Sequence, residues 1–407
     1  MALDYLAFVL ASGTEAVKLP LAMLVVFASA KVLDEIFERF HQPGIVGQIL
    51  AGVLVGPSVL GWLAPNDFLT ALAELGVMFL LFRVGLEVKA SDLIEVGPIA
   101  AWVAILGVAV PFGLGWGLLR IWGEPQIESI FVGAAMVATS VGITAQVLAA
   151  KGLLQARASR IILAAAVIDD VLGLLILALV SSLAKGVINV LELALTAVLA
   201  IGFTLIVIKW GTKTMKSLLP RVHDQLRVGE AQFSMAMILL FSLSVLAVYA
   251  GVAAIIGAFL AGMALAESVG HRVHDLTQGV TELLVPFFLA GIGLHLSLSA
   301  LSSWSTVGLA GLVVLVAILS KFIGCGLGAY QLGRADASRV GVGMIPRGEV
   351  GMVVAQIGQS LGVIGEQVYA VVVLMSVATT LVAPPLLNLA YRGLETPAPE
   401  EERFGLG

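Results

Sequence analysis

Residues Glu74 to Ser91, ELGVMFLLFRVGLEVKAS, are answered 208 positions later by Glu282 to Ser299, ELLVPFFLAGIGLHLSLS. Glu74/Glu282, Leu75/Leu283, Val77/Val285, Phe79/Phe287, Leu81/Leu289, Gly85/Gly293, Leu86/Leu294 and Ser91/Ser299 are identical. The run before each gives a weaker echo, Gly47, Leu50, Ala51 and Gly52 against Gly257, Leu260, Ala261 and Gly262. Each quoted stretch belongs to an apolar run of about 20 residues, the length a helix needs to cross the hydrocarbon of a bilayer.

Working outward, apolar runs bounded by charges or turn residues give thirteen segments. They lie near 18–38, 43–60, 67–86, 95–119, 127–150, 158–183, 188–209, 229–249, 251–268, 279–296, 304–329, 338–361 and 366–390. The composition agrees with an all-α polytopic membrane protein. The 407 residues are 59% hydrophobic and only 12% charged, with a mean hydropathy of +1.06, whereas a soluble domain is about 25% charged. The 45 glycines suit close helix contact in lipid. A net charge of −5 argues against nucleic acid as a partner, and the lone Cys325 excludes an intramolecular disulfide. Met1 to Ala16 lacks a basic n-region and a cleavage motif, so it reads as a lead-in and not a signal peptide.

Lys and Arg cluster at one end of the segments. Lys209, Lys213, Lys216, Arg221 and Arg227 fall on the side of the C-terminus; Lys18, Arg120 and Lys185 fall opposite, and Lys321 and Arg347 lie within spans. By the positive-inside rule the N-terminus is expected outside and the C-terminus in the cytoplasm of a cell (inner) membrane. The quoted stretches form the third and tenth spans. An offset of seven reverses direction through the membrane, so inverted repeats are expected, with a substrate site at their interface near the midplane.

The same offset pairs two poor helix formers. The fifth span carries Ala138-Thr139-Ser140-Val141-Gly142-Ile143-Thr144, and the twelfth carries Ile345-Pro346-Arg347-Gly348-Glu349-Val350-Gly351. Proline removes a donor and clashes with the preceding turn, and glycine weakens a helix by about 1 kcal/mol relative to alanine. Two broken helices crossing at the midplane are therefore expected.

Charge inside lipid costs at least about 2.5 kcal/mol per residue, so each buried ionisable group needs a reason. Asp169 and Asp170 sit in the middle of the sixth span, about 16 Å of helix from Ser159. Neighbours on a helix point about 100° apart; one carboxylate can coordinate an ion while the other meets another helix. Lys321, at similar depth in the eleventh span, is the expected counter-charge. Glu349 and Arg347 stand at the second break, where half-helix ends carry partial charges of both signs. They are expected to balance those ends. Glu74 and Glu282, read as lying toward the outer ends of their spans, could line an access funnel or cap helices. Arg83 and Glu87 have the spacing of a local ion pair. The histidines show no metal-ligand spacing.

Pro43-Gly44-Ile45-Val46-Gly47-Gln48-Ile49-Leu50-Ala51-Gly52, Gly56-Pro57, Phe82-Arg83-Val84-Gly85-Leu86-Glu87, Thr139-Ser140 and Asp169-Asp170 resemble the cation:proton antiporter-2 family. Lys321 and the Arg347-Gly348-Glu349 break are similar to its NapA-like sodium/proton antiporters, over roughly residues 18–392. The resemblance implies an NhaA-type fold. A dimerisation domain would take about 18–86 and 229–296, a linker helix about 188–209, and a core ion-transport domain about 95–183 and 304–390. It also implies Asp170 as the cation and proton site, Asp169 paired with Lys321, and Thr139 and Ser140 beside them. No C-terminal regulatory domain and no cofactor are expected; Gly291-Ile292-Gly293 falls inside a span and is no nucleotide motif.

The function expected is exchange of cytoplasmic Na⁺ or Li⁺ for protons by alternating access, electrogenic, in a homodimer packed through Ala254, Ala258 and Gly262. A K⁺/H⁺ exchanger of the same fold is the nearest alternative. A sodium-coupled organic anion symporter is opposed by the deep carboxylates, a channel by the breaks and counter-charges. An intramembrane aspartyl protease needs aspartates on two helices, and here they are adjacent on one.

Overall fold

The computed structural model describes residues 15–40, 42–184, 190–215, 230–296 and 303–393, with the side chains of 15–18, 92, 190, 192, 193 and 349 left aside. Most of the lead-in, Lys185, Lys216, Arg221, Arg227, Ser299 and the acidic tail lie outside these residues.

The chain builds α1 (Glu15–Arg39), α2 (Gly44–Val55), α3 (Asp67–Leu86), α4 (Ala90–Trp122), α5 (Gln126–Ala135), α6 (Val141–Ala150), α7 (Arg157–Ala184) and α8 (Val190–Ile206). There follow α9 (Ala231–Tyr249), α10 (Ala254–Leu265), α11 (His271–Leu294), α12 (Trp304–Gly328), α13 (Arg334–Gly343), α14 (Glu349–Ser360) and α15 (Glu366–Ala390). Eight helices among the described residues are long and apolar enough to cross a membrane, and α2, α6 and α10 are shorter apolar helices.

The differences from the sequence expectation have local causes. The second segment stops being helical at Val55, where Gly56-Pro57 turns the chain. The ninth shortens to α10 because Gly251, at φ +76°, ends the preceding helix in a turn. The fourth lengthens to Ala90–Trp122 despite Pro98 and Pro111. Past α8 the helix widens into a π turn at Val207–Gly211.

Packing sorts the helices into two groups. In the first, α3 packs on α10 and α11, α2 on α1 and α11, and α9 on α10. In the second, α4 packs on α5, α7 and α12, α12 on α13 and α15, and α14 on α5 and α15. Helix α8 touches α7, and its π turn touches α10.

Within the first group the closest approaches exchange under the offset of 208–210. Gly52 of α2 lies against Ala290 O of α11, and Gly262 of α10 lies against Phe82 O of α3. Gly293 of α11 meets Ile49 O of α2, and Gly85 of α3 meets Phe259 O of α10. A side chain at any of the four would strike backbone. Gly76, whose counterpart is Leu284, packs on Leu284 O itself; a Cβ there would stand 2.6 Å away.

Candidate functional site

Each expected break is real backbone outside helix. Met136–Ser140 separates α5 from α6, and Met344–Gly348 separates α13 from α14. The two breaks are bonded where they pass, Ser140 N–H donating to Pro346 O at 2.7 Å. Thr144 Oγ1 donates to Gly343 O at 2.6 Å. Ser140 and Gly348 are also counterparts at 208. A Cβ on Gly348 would stand 2.6 Å from the Cβ and Oγ of Ser140, so glycine is what allows the strands of the crossing to meet.

Helix α15 holds the second break in place. Arg347 N–H donates to Thr379 Oγ1 at 3.1 Å, and Thr380 Oγ1 donates to Arg347 O at 2.7 Å. Thr379 Oγ1 in turn donates to Met375 O at 2.8 Å. Freed backbone groups in a dry interior need such partners. Sequence reading missed this pair, although adjacent threonines in the middle of an apolar helix are the kind of signal that could have marked it.

Asp169 and Asp170 lie on α7, 0% and 4% exposed. Lys321 of α12 is 0% exposed. Its Nζ donates to Asp169 Oδ1 at 2.9 Å and Oδ2 at 3.1 Å. It also reaches Gly107 O of α4 at 2.8 Å and Val137 O of the first break at 2.7 Å. Gly107 lets α12 come this near, since a Cβ there would stand 2.5 Å from Cys325 Sγ. One ammonium thus joins α4, the α5 break, α7 and α12.

Arg347 is 0% exposed. Its Nη1 donates to Val137 O and Ala138 O, each at 3.3 Å, and Nη2 donates to Ala317 O at 3.2 Å. The guanidinium therefore faces the carboxyl end of α5, where partial negative charge collects. Glu349 opens α14; its side chain lies outside the described residues. Thr139 and Ser140 are 5% and 3% exposed, and neither hydroxyl has a hydrogen-bond partner among the described residues.

Glu74 and Glu282 do not share a funnel. Glu74 lines a cavity with Pro65, His295 and Tyr369, at the N-terminal end of α3. Glu282 lines another with Gln48, Arg83 and Gln146, toward the C-terminal end of α3. The expectation that both lie toward the outer ends is corrected here: α3 and α11 pack antiparallel, the start of α3 beside the end of α11, so the two glutamates open toward opposite ends of the pair.

Chemically, a buried carboxylate offers oxygen ligands to a small dehydrated cation, and it also takes a proton. Two broken helices crossing beside buried charge, in an apolar helical bundle, define a membrane-embedded secondary transporter. The family described as "Sodium/hydrogen exchanger, transmembrane" matches residues 22–390, and the chain belongs to that family. It is 34% identical to the high-affinity Na⁺/H⁺ antiporter NhaS3 of Synechocystis sp., over 94% of this chain and 92% of the relative. It is 32% identical to the Na⁺/H⁺-K⁺ antiporter GerN of Bacillus cereus, over 90% and 95%. A Na⁺/H⁺ antiporter of Enterococcus hirae is 31% identical, over 90% and 96%. The fold is that of the sodium proton antiporter MjNhaP1 of Methanocaldococcus jannaschii, with a TM-score of 0.64 at 18% identity, over 91% of this chain and 96% of that one.

Proposed function

We propose that the protein is a sodium/proton antiporter that carries Na⁺ or Li⁺ out of the cytoplasm against inward protons, with Asp170 as the group for which cation and proton compete. The observation that carries this reading is the buried Asp169–Asp170 pair, with Asp169 bonded to Lys321 at the crossing, in a chain of the sodium/hydrogen exchanger family. A bare buried carboxylate is costly to move past an apolar barrier, while one neutralised by either ion is not. Movement is then coupled to occupancy, which makes exchange obligatory. Thr139 and Ser140 supply hydroxyl oxygens to the cation.

The first helical group serves as the dimerisation domain, the second as the core, and α8 as the linker. Counting each broken pair as one crossing gives thirteen, with the N-terminus outside. The repeats are inverted, a reading supported by the glycine contacts that exchange under the offset. Exchange is electrogenic, two protons per Na⁺. Asp170 yields one when the cation binds. Lys321 yields the second when Asp169 turns to the cation, because a neutral amine keeps two N–H donors for the two carbonyls, Gly107 O and Val137 O, that it already reaches. The test is purified protein in liposomes with Na⁺, Li⁺ and K⁺ offered separately under a pH gradient. Dissipation by Na⁺ and Li⁺ supports the reading; response to K⁺ alone replaces it with potassium exchange, and no response refutes antiport.

A further inference from the structure

A groove of about 420 Å³ runs along the surface of the second helical group, between α4, α5 and α7. Its walls are apolar side chains except for the Gln126 amide and the Trp116 indole. On α4 it begins at Val108, beside Gly107, whose O accepts the Lys321 ammonium at 2.8 Å. It therefore starts at the depth of the buried charges and ends at Trp116 and Gln126. Val108 to Trp116 is about 12 Å of helix, close to the depth of one leaflet in a hydrocarbon core of about 30 Å. Trp116, Trp122 and Trp304 are exposed at that end, and tryptophan collects where headgroups meet hydrocarbon.

The end of the groove is marked by charge. Ala109, Phe112, Trp116 and Arg120 follow at steps of three and four residues, so they share one face of α4. Arg120 is exposed, and its Nη1 donates to Glu124 O at 2.7 Å, two residues before Gln126. That bond uses one N–H of a guanidinium that has several. Two carboxyls stand nearby. Glu128 is 8% exposed, and its Oε1 accepts the Gly365 N–H at 2.9 Å. Burial, and after it the neighbouring Glu128, push the Glu124 carboxyl upward. The acidic pair is thus turned toward itself and inward, and Arg120 is the charge that the rim presents.

We propose that this groove seats one phospholipid of the surrounding bilayer, with an acyl chain between α4, α5 and α7 and the phosphodiester on Arg120 and Gln126. A void beside a packed helix forfeits dispersion contacts, and a chain in the groove restores them on three sides, where a flat helix surface offers one. Arginine adds charge-assisted hydrogen bonds to the phosphate oxygens. The same three helices supply Lys321 with its partners: Gly107 O from α4, Val137 O from the break after α5, and Asp169 from α7. The lipid is a wedge that holds them at the spacing the ammonium requires. This holds whether or not the chain exchanges sodium.

The experiment is thermal unfolding of the full chain, purified in detergent and titrated with phosphatidylglycerol or with a diacylglycerol of the same chains. Phosphatidylglycerol at about 100 times its Kd is expected to raise the melting temperature of wild type by about 3 °C. The diacylglycerol, which lacks the phosphate, should bind about tenfold more weakly. Arg120→Gln should abolish that difference, and Ala109→Trp, which fills the groove, should abolish the shift with both lipids. A shift in Ala109→Trp as large as in wild type overturns the proposal, as does equal binding of the two lipids by wild type. Should Ala109→Trp fail to fold, native mass spectrometry compares wild type with Arg120→Gln after delipidation. One more phosphatidylglycerol retained per wild-type chain supports the proposal, and equal numbers overturn it. Disulfides joining two copies of Ala109→Cys in the membrane would give the groove to a second copy of the chain, and also overturn it.

Discussion

Replacing Lys321 and Asp169 singly and together measures what their contact contributes. Both are 0% exposed, so solvent does little to screen them. At the observed 2.9 Å and 3.1 Å, and an effective dielectric of about 20, the attraction is about 5 kcal/mol. Lys321→Gln and Asp169→Asn keep hydrogen-bonding amides in place while removing one charge each. Breaking one partner of a buried pair costs about 3–5 kcal/mol, whereas removing both is close to neutral. With about 2 cal/mol/K of unfolding entropy per residue, each single variant should melt about 4–6 °C below wild type, and the double variant should recover more than half of that. The assay is thermal unfolding of purified protein in detergent, followed by tryptophan fluorescence. If the two losses add in the double variant, the pair is not energetically coupled, and the reasoning from its geometry fails.

Asp170→Asn should fold and melt within a few degrees of wild type yet lose Na⁺-driven proton movement; persistent exchange would place the ion site elsewhere. A membrane potential imposed on proteoliposomes without a pH gradient should drive Na⁺ flux, since moving one net charge through 100 mV is worth about 2.3 kcal/mol; flux indifferent to the potential means one-for-one exchange. Gly348→Ala should lose about 1–3 kcal/mol through overpacking against Ser140, and Ser140→Gly in the same chain should return part of it; a melting temperature unchanged in the single variant would contradict the crossing geometry. Thr380→Val should cost about 1–3 kcal/mol, because it keeps the volume but leaves Arg347 O without its 2.7 Å partner; unchanged melting would show the bond to be dispensable.

The parts of this site that sequence reveals are those that lipid makes expensive. Asp169, Asp170, Lys321 and Arg347 stand out because charge in an apolar run needs a reason, and the breaks stand out because Pro346 and Gly348 cannot continue a helix well. The acceptors that complete the arrangement carry no such mark. Gly107 O, Val137 O and Ala317 O are backbone atoms that any residue would supply, and only the packing of α4, α5 and α12 brings them to Lys321 and Arg347. Thr379 and Thr380 were visible as residues but not as partners, since an apolar helix gives threonine many harmless uses. The placement of Glu74 and Glu282 at opposite ends comes from the antiparallel packing of α3 on α11, which the two residues by themselves do not announce.

The bonds of the site also say which parts move together. Lys321 ties α4, α7, α12 and the α5 break; Ser140 N–H ties one break to the other; Thr379 and Thr380 tie the second break to α15. Every one of these bonds joins members of the proposed core. Where the crossing faces the other group, the contact is of another kind: Gly142 packs against the side chains of Val77 and Phe288. The Gln155 side chain does bond to Glu87 O across the groups, but at the end of α3, away from the crossing. Dispersion contacts between small apolar groups are individually worth about 0.1–0.2 kcal/mol per atom pair and carry little directional penalty. Sliding the core past α3 and α11 therefore replaces one set of apolar contacts with a similar set, while deforming the crossing would break several buried hydrogen bonds at about 1–3 kcal/mol each. The inexpensive motion is the one that carries the carboxylates intact past α3 and α11.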